Sequence, residues 1–288
     1  MRQQHDHCWS GIGGAVSGSI DRAVNRVIET MYERVGDELT VDEMARTAMY
    51  SKFHFSRAFR QVTGVSPGRF LAALRFQEAK RLLTDTSLSV AEISNQVGYS
   101  SLGTFSTRFK NSVGVSPTEY RRSGGRCRAN GARTGCGPGP DAVAATIRGT
   151  VVNAAAGTDY EHIFVGLFPG TLPQGPPLRS ALLSRPGLYV LEDVPEGSWF
   201  VLAYGVGHMG TAPGAEPVGY PAGSIGCLGP LRVRSDTTVS ASDLVLRPMR
   251  AVDLPPVSAP FVTHPMDVRR PKPPSAGAHA NHRLRWIK

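Results

Sequence analysis

Residues 52–60 read KFHFSRAFR. Phe55 and Phe59 are four apart, so on a helix they share one face. The remaining faces carry Lys52, Phe53, Ser56, Arg57 and Arg60. That set suits the edges of base pairs. A guanidinium bonds guanine O6 and N7 in a bidentate way, a serine hydroxyl serves either base type, and an aromatic side chain packs on a thymine methyl. On this reading Arg57 and Ser56 reach base edges, Phe53 meets a methyl group, and Lys52 and Arg60 sit at phosphates. A solvated helix face accounts for Lys52 and Arg60 equally well.

Other chemistry is thin. His5, Asp6, His7 and Cys8 are metal-ligand types, but they stand in a tail without periodicity. Cys127 and Cys136 lack the two-to-four-residue spacing of a zinc knuckle. No phosphate-binding glycine loop, zinc-protease motif or nucleophile elbow is present. His162, Asp193, His208 and Ser224 have no spacing that links them. The expectation is no enzyme, with no catalytic residue, no metal site and no cofactor.

The elements that must present Arg57 come from a repeat. Residues 40–70 (TVDEMARTAMYSKFHFSRAFRQVTGVSPGRF) return as residues 89–120 (SVAEISNQVGYSSLGTFSTRFKNSVGVSPTEY). Thr40 maps to Ser89. Phe55, Phe59 and Gly64–Val65–Ser66–Pro67 map to Phe105, Phe109 and Gly114–Val115–Ser116–Pro117, one residue having been inserted in between. Thr40 with Glu43, and Ser89 with Glu92, are capping boxes that start a first helix in each copy. Met44 with Ala48, and Ile93 with Val97, give each of these helices a buried stripe. Ser51 and Ser101 are N-caps for second helices, whose inward pairs are Phe55/Phe59 and Phe105/Phe109. Gly64 and Gly114 suit helix C-caps. Ser66–Pro67 and Ser116–Pro117 start a further helix each. A leading helix over residues 21–34 has Val24, Val27, Ile28 and Met31 on one face. Two short helices joined by a tight turn make a helix-turn-helix, whose second helix fits the major groove. The helix from Pro67 to about Leu83 would be roughly 25 Å long. It can hold two such helices about one DNA turn apart, so that one chain reads two successive grooves.

Charge and punctuation divide the 288-residue chain, whose formal net charge is +9. Residues 20–128 hold +6, residues 129–250 hold −1 and residues 251–288 hold +4. The expected organisation is a disordered tail over 1–19, a double helix-turn-helix domain over 20–122 and a flexible linker over 123–142. An all-β domain over 143–250 and a disordered, basic, Pro-rich tail over 251–288 complete it. The short runs IRGTVV, HIFVGLF, LYVLEDV, SWFVLAYGV, LRVR and DLVLRP predict about six strands, arranged as a sandwich. The loop at residues 172–180 and the Gly-rich stretch around 205–230 read as connections, with a ligand cleft or a dimer surface as the alternative. With no apolar run long enough to span a membrane and no signal-peptide pattern at the start, the chain reads as soluble, non-membrane and cytoplasmic. Its thiols are then expected to stay reduced.

The second copy resembles the signature of the AraC/XylS-type bacterial transcription regulators. Glu92–Ile93, Val97–Gly98–Tyr99, Phe105–Ser106, Phe109–Lys110, Gly114, Ser116–Pro117 and Tyr120–Arg121 carry the likeness, and both copies over residues 21–122 share it. The resemblance implies a multidomain protein with an all-α, homeodomain-like double helix-turn-helix module that binds double-stranded DNA sequence-specifically to regulate transcription. It implies base contacts at Phe53, Ser56 and Arg57, and at Leu102, Gly103, Thr104, Ser106 and Thr107 in the second copy, with Lys110 at a phosphate. Many members have arginine where this chain has Thr107. Arg108 follows instead, at the place of Ala58 and so partly inward. Fewer direct base contacts are expected from this unit, with Thr104, Thr107 and Lys110 mainly holding register. Members usually carry the sensor first, whereas here the DNA module precedes the β domain.

Gly149–Thr150–Val151, Pro186–Gly187–Leu188–Tyr189 and Val194–Pro195–Glu196–Gly197–Ser198–Trp199 resemble prealbumin-like, carboxypeptidase-regulatory-like modules, which implies a non-catalytic sandwich. The expected partners are DNA, RNA polymerase or another transcription component, and a small-molecule effector on the β domain. Two alternatives stand beside this reading. One is an adaptor whose β domain carries the main function while the helices tether it to DNA. The other is an enzyme or repair protein that uses the module only for targeting.

Overall fold

The computed structural model describes residues 18–125, 145–154, 159–207 and 223–257. The helical half runs α1 (Gly18–Glu33), α2 (Val41–Ala48), α3 (Lys52–Thr63), α4 (Pro67–Asp85), α5 (Val90–Gln96), α6 (Leu102–Val113) and α7 (Pro117–Arg122). Both capping boxes form. Thr40 Oγ1 accepts from the Glu43 N–H at 3.2 Å, and the Glu43 carboxylate accepts from the Thr40 N–H at 2.8 Å. Ser89 and Glu92 do the same at 3.2 and 2.7 Å. These backbone bonds hold both carboxyls below their ordinary range. The expected Pro67 start and the C-caps at Gly64 and Gly114 are in place, both glycines left-handed.

Neither two-helix unit can bury its own phenylalanines, and α4 supplies the missing wall to both. Phe70 meets Phe59 edge-on at 5.6 Å in the first unit. Phe76 meets Phe109 edge-on at 5.8 Å and stacks on Tyr99 at 6.0 Å in the second. Phe109 reaches on to Tyr120 of α7 at 5.9 Å. Such ring pairs contribute about 0.5–1.5 kcal/mol each beyond their buried area. Val24, Val27, Ile28 and Met31 of α1 are buried against the same core, as their spacing predicts.

The C-terminal half is β-rich, with β1 (Ala145–Asn153), β2 (Tyr160–Phe168), β3 (Ser180–Leu183), β4 (Leu188–Val194), β5 (Gly197–Gly207), β6 (Gly223–Val233), β7 (Thr238–Ser240) and β8 (Leu244–Pro248). The hydrogen bonds follow one path, β3-β2-β5-β6-β8-β1-β4, with β7 on β1. The result is a single curled sheet around an apolar core rather than two separate layers. The reason is β8, which pairs antiparallel with β6 and parallel with β1, and so bridges what a sandwich leaves open. Two strands beyond the expected six, β3 and β7, are only four and three residues long, too short to show alternation. β6 also begins within the Gly-rich stretch read as a connection. There Gly226 lets the Val245 backbone carbonyl approach, to 2.7 Å from where a Cβ would stand. Cys227 on β6 is disulfide-bonded, a departure from the expectation of reduced thiols.

After β8 the chain turns back onto the helices. Asp253 is buried, gripped by Arg247 at 2.6 and 2.8 Å and by the Arg250 N–H at 2.6 Å. This staple shapes a strap over residues 250–257, whose Leu254 and Val257 join the helical core. The strap lies largely in the range expected to be a disordered tail; residues 258–288 lie outside the described residues, as do 1–17 and most of the expected linker. The ring network sets the first test. Phe109→Ala should cost the helical module about 3–5 kcal/mol, measured by denaturant unfolding followed through helix content.

Candidate nucleic-acid interface

The tight turn of each unit takes a left-handed residue at its first position. In the first unit this is Met49 (φ 60°), and in the second Gly98 (φ 81°). The two positions are equivalent in the repeat but not in their surroundings. Met49 is 84% exposed, whereas a Cβ at Gly98 would stand 2.9 Å from the Gly36 carbonyl oxygen and 2.7 Å from the Arg75 guanidinium. The extra residue, Ser100, falls between Tyr99 and the N-cap Ser101. Ser51 then caps the His54 N–H and Ser101 the Thr104 N–H, so both second helices start at the same place.

With Phe55, Ala58, Phe59, Val62 and Thr63 buried, one face of α3 is turned inward and the opposite face outward. Lys52, Phe53, Arg57 and Arg60 are exposed and Ser56 is half-buried. Phe53 is 82% exposed, a large apolar surface at the tip of a helix. Arg57 and Arg60 make no ion pair among the described residues. Lys52 instead pairs with Asp42 of α2 at 2.8 Å; both side chains are more than half exposed, so the pair is weak and free to open. On α6, Leu102, Gly103, Thr104, Thr107 and Lys110 are exposed and Ser106 is half-buried, around the buried Phe105 and Phe109. Neither α3 nor α6 contains a carboxylate. All the residues marked out from sequence therefore reach two helix surfaces that carry only neutral or positive groups.

Arg108 departs from expectation. Ala58 at the same place is buried, but the Arg108 side chain turns outward and is exposed. Its positive charge favours the ionised form of the nearby Tyr99 hydroxyl. Burial pushes that phenol above its ordinary range, and Arg75 and Arg108 act against the shift. Arg108 also lines an open cleft of about 200 Å³ with Arg69, Phe76, Asn111, Ser112 and Gln174.

The frame behind these surfaces is tied by arginines that the spacing argument does not single out. Arg75 Nε donates to the Val35 carbonyl at 3.1 Å and its other end to the Asp37 carbonyl at 2.7 Å, while the guanidinium lies 5.7 Å from the Tyr99 ring. Arg121 donates to the carbonyls of Leu83 and Leu88, fixing the loop between α4 and α5. The 19-residue α4 spans roughly 28 Å at 1.5 Å per residue. Sequence reasoning also missed Gln77 and Lys80, whose partners lie at the far end of the chain.

Among the described residues there is no cluster of metal ligands and no helix long and apolar enough to cross a membrane. His5–Cys8, Cys127 and Cys136 lie outside the described residues.

A family model described as a helix-turn-helix domain matches residues 44–123. An uncharacterized HTH-type transcriptional regulator of Haemophilus influenzae is 36% identical over 103 residues, 36% of this chain and 35% of its own length. The HTH-type transcriptional regulator MtrA of Neisseria gonorrhoeae is 32% identical over 115 residues, covering 40% of this chain and 38% of its own. The HTH-type transcriptional activator AarP of Providencia stuartii is 30% identical over 100 residues, 35% of this chain but 74% of its own length. The chain thus spans little more than a third of the first two relatives and about three quarters of the third.

The two turns answer oppositely to the same substitution. Met49→Gly should leave the protein as stable or more stable by about 1 kcal/mol, because it relieves a left-handed non-glycine residue. Gly98→Ala should cost about 1–3 kcal/mol, because it adds strain and a clash with backbone. Thermal unfolding of the two variants checks the pair.

Proposed function

The chain belongs to the AraC/XylS-type family of helix-turn-helix transcription regulators, and we propose that it is a sequence-specific DNA-binding regulator reading two successive major grooves. The observation that carries this is the pair of exposed, carboxylate-free helices α3 and α6, each seated on its own buried phenylalanine pair and joined through one long helix. Arg57 bonds a guanine, Ser56 a base edge and Phe53 a thymine methyl in one half-site. Leu102, Gly103, Thr104, Ser106 and Thr107 face the second half-site with short side chains. They supply contact and register more than discrimination. Lys52, Arg60 and Lys110 neutralise phosphates, Lys52 leaving Asp42 to do so. Specificity is therefore concentrated in the half-site read by α3.

The same reading takes double-stranded DNA as the primary partner, with RNA polymerase or another component of transcription as the target of regulation. The β domain is the regulatory half, the place for an effector or a further protein. The basic tail beyond residue 257 adds non-specific affinity.

Selection of binding sites from random duplexes with the purified chain tests the function. The enriched sites should contain two half-sites about 10 base pairs apart, and affinity should fall steeply with salt. Recovery of no common sequence would sink the reading. Arg57→Ala should weaken binding by about 1–3 kcal/mol and relax preference at one base pair, measured as affinities on duplexes substituted at each position. Removing residues 258–288 should weaken binding on all sequences alike and lower the salt slope, leaving the selected sequence unchanged; a changed sequence would place the tail in base reading.

A further inference from the structure

The β domain touches both helix-turn-helix units at once, through one short loop and one strap. Leu172 stands at the C-terminal end of α3. There it encloses a cavity of about 20 Å³ with Val62, Thr63 and Gly64, closed on the other side by strap residues Arg250, Val252, Asp253 and Leu254. Three residues on, the Gly175 N–H donates to the Ser112 carbonyl in the last turn of α6 at 2.8 Å. Between them Gln174 accepts from Arg69 of α4 at 2.6 Å and bonds back to the Leu172 carbonyl at 2.9 Å. Three residues span at most about 11 Å. A staple this short therefore joins the C-terminal ends of the two second helices.

The strap adds a second hold on the connecting helix. Gln77 donates to the Pro256 carbonyl at 2.7 Å, and the Lys80 ammonium to the Val257 carbonyl at 3.1 Å. Lys80 is 2% exposed and lies 6.0 Å from the Tyr120 ring of α7. A buried ammonium needs acceptors in place, and strap carbonyls are among those it has. The contacts leave the outward faces of α3 and α6 uncovered: Phe53, Arg57, Gly103, Thr104 and Thr107 all stay exposed while the β domain is docked.

We propose that the β domain acts as a caliper, fixing the separation and angle of the two recognition helices, with Gln77, Lys80 and Ser112 as positioning residues for half-site spacing. This rests on the two-groove reading above. The bases that are read belong to α3 and α6, whereas the spacing at which both can be read together belongs to the loop and the strap. A ligand or partner that shifts either contact would change which pairs of half-sites are bound without changing the sequence of each.

The test uses the full chain and the duplex selected by the wild type, with the spacing between half-sites lengthened or shortened by one base pair. Each such step rotates the second half-site by roughly 35° about the duplex axis. The wild type should lose about tenfold in affinity per step, a free energy near 1.4 kcal/mol. Leu254→Asp, which the helical core does not accept, and Lys80→Met, which keeps the packing but loses the donor, should each flatten this profile to within about threefold. Preference within each half-site should be unchanged in both. A strap that serves only stability would lower the melting temperature and leave the profile alone. A wild-type profile in folded Leu254→Asp overturns the proposal, and Lys80→Met decides if Leu254→Asp loses its helix content. Absence of sequence-specific binding by the wild type would instead remove the two-groove reading itself.

Discussion

Everything in the helical half follows from how little a two-helix unit can bury alone. An eight-residue helix and a twelve-residue helix cannot enclose two phenylalanines, and short isolated helices are marginal in water. The missing surface is α4, buried around most of its circumference, which gives Phe70 to one unit and Phe76 to the other. Sharing one helix ties the two units together and sets which way their outward faces point. The loop and the strap then hold the distance and angle between those faces.

That constraint also explains where the polar residues sit. The phenylalanine pairs must point at α4, so Phe53, Ser56, Arg57 and their counterparts on α6 must point away. No carboxylate occupies either outward face, so nothing on the same helix competes with a polyanion for Arg57 or Lys110. The chain's net charge of +9 is in this sense a local matter. The helical half presents its positive groups on helices that a shared core has aimed.

The repeat was legible because capping boxes, phenylalanine pairs and C-cap glycines are local and periodic, and each formed where its residues predict. Arg108 was not, because its counterpart Ala58 suggested an inward position, whereas a long charged side chain at that place reaches out to solvent. The course of the β sheet was partly hidden. Glycines in β6 read as punctuation, yet Gly226 serves close packing against the Val245 carbonyl. The strap was hidden altogether. Its acceptors for Lys80 stand 177 residues away in sequence, and a Pro-rich run with Asp253 in it looks like a tail until Arg247 and the helical core are placed around it.

The central claim is that one chain reads two major grooves with α3 and α6. Guanine N7 lies in the major groove and reports directly on its occupancy. Methylation protection of guanine N7 on a bound, sequence-selected duplex therefore tests the claim most directly. Two protected patches about one helical turn apart, on the same face of the duplex, are the predicted result. A single protected patch would show that only one recognition helix enters the DNA, and would contradict it.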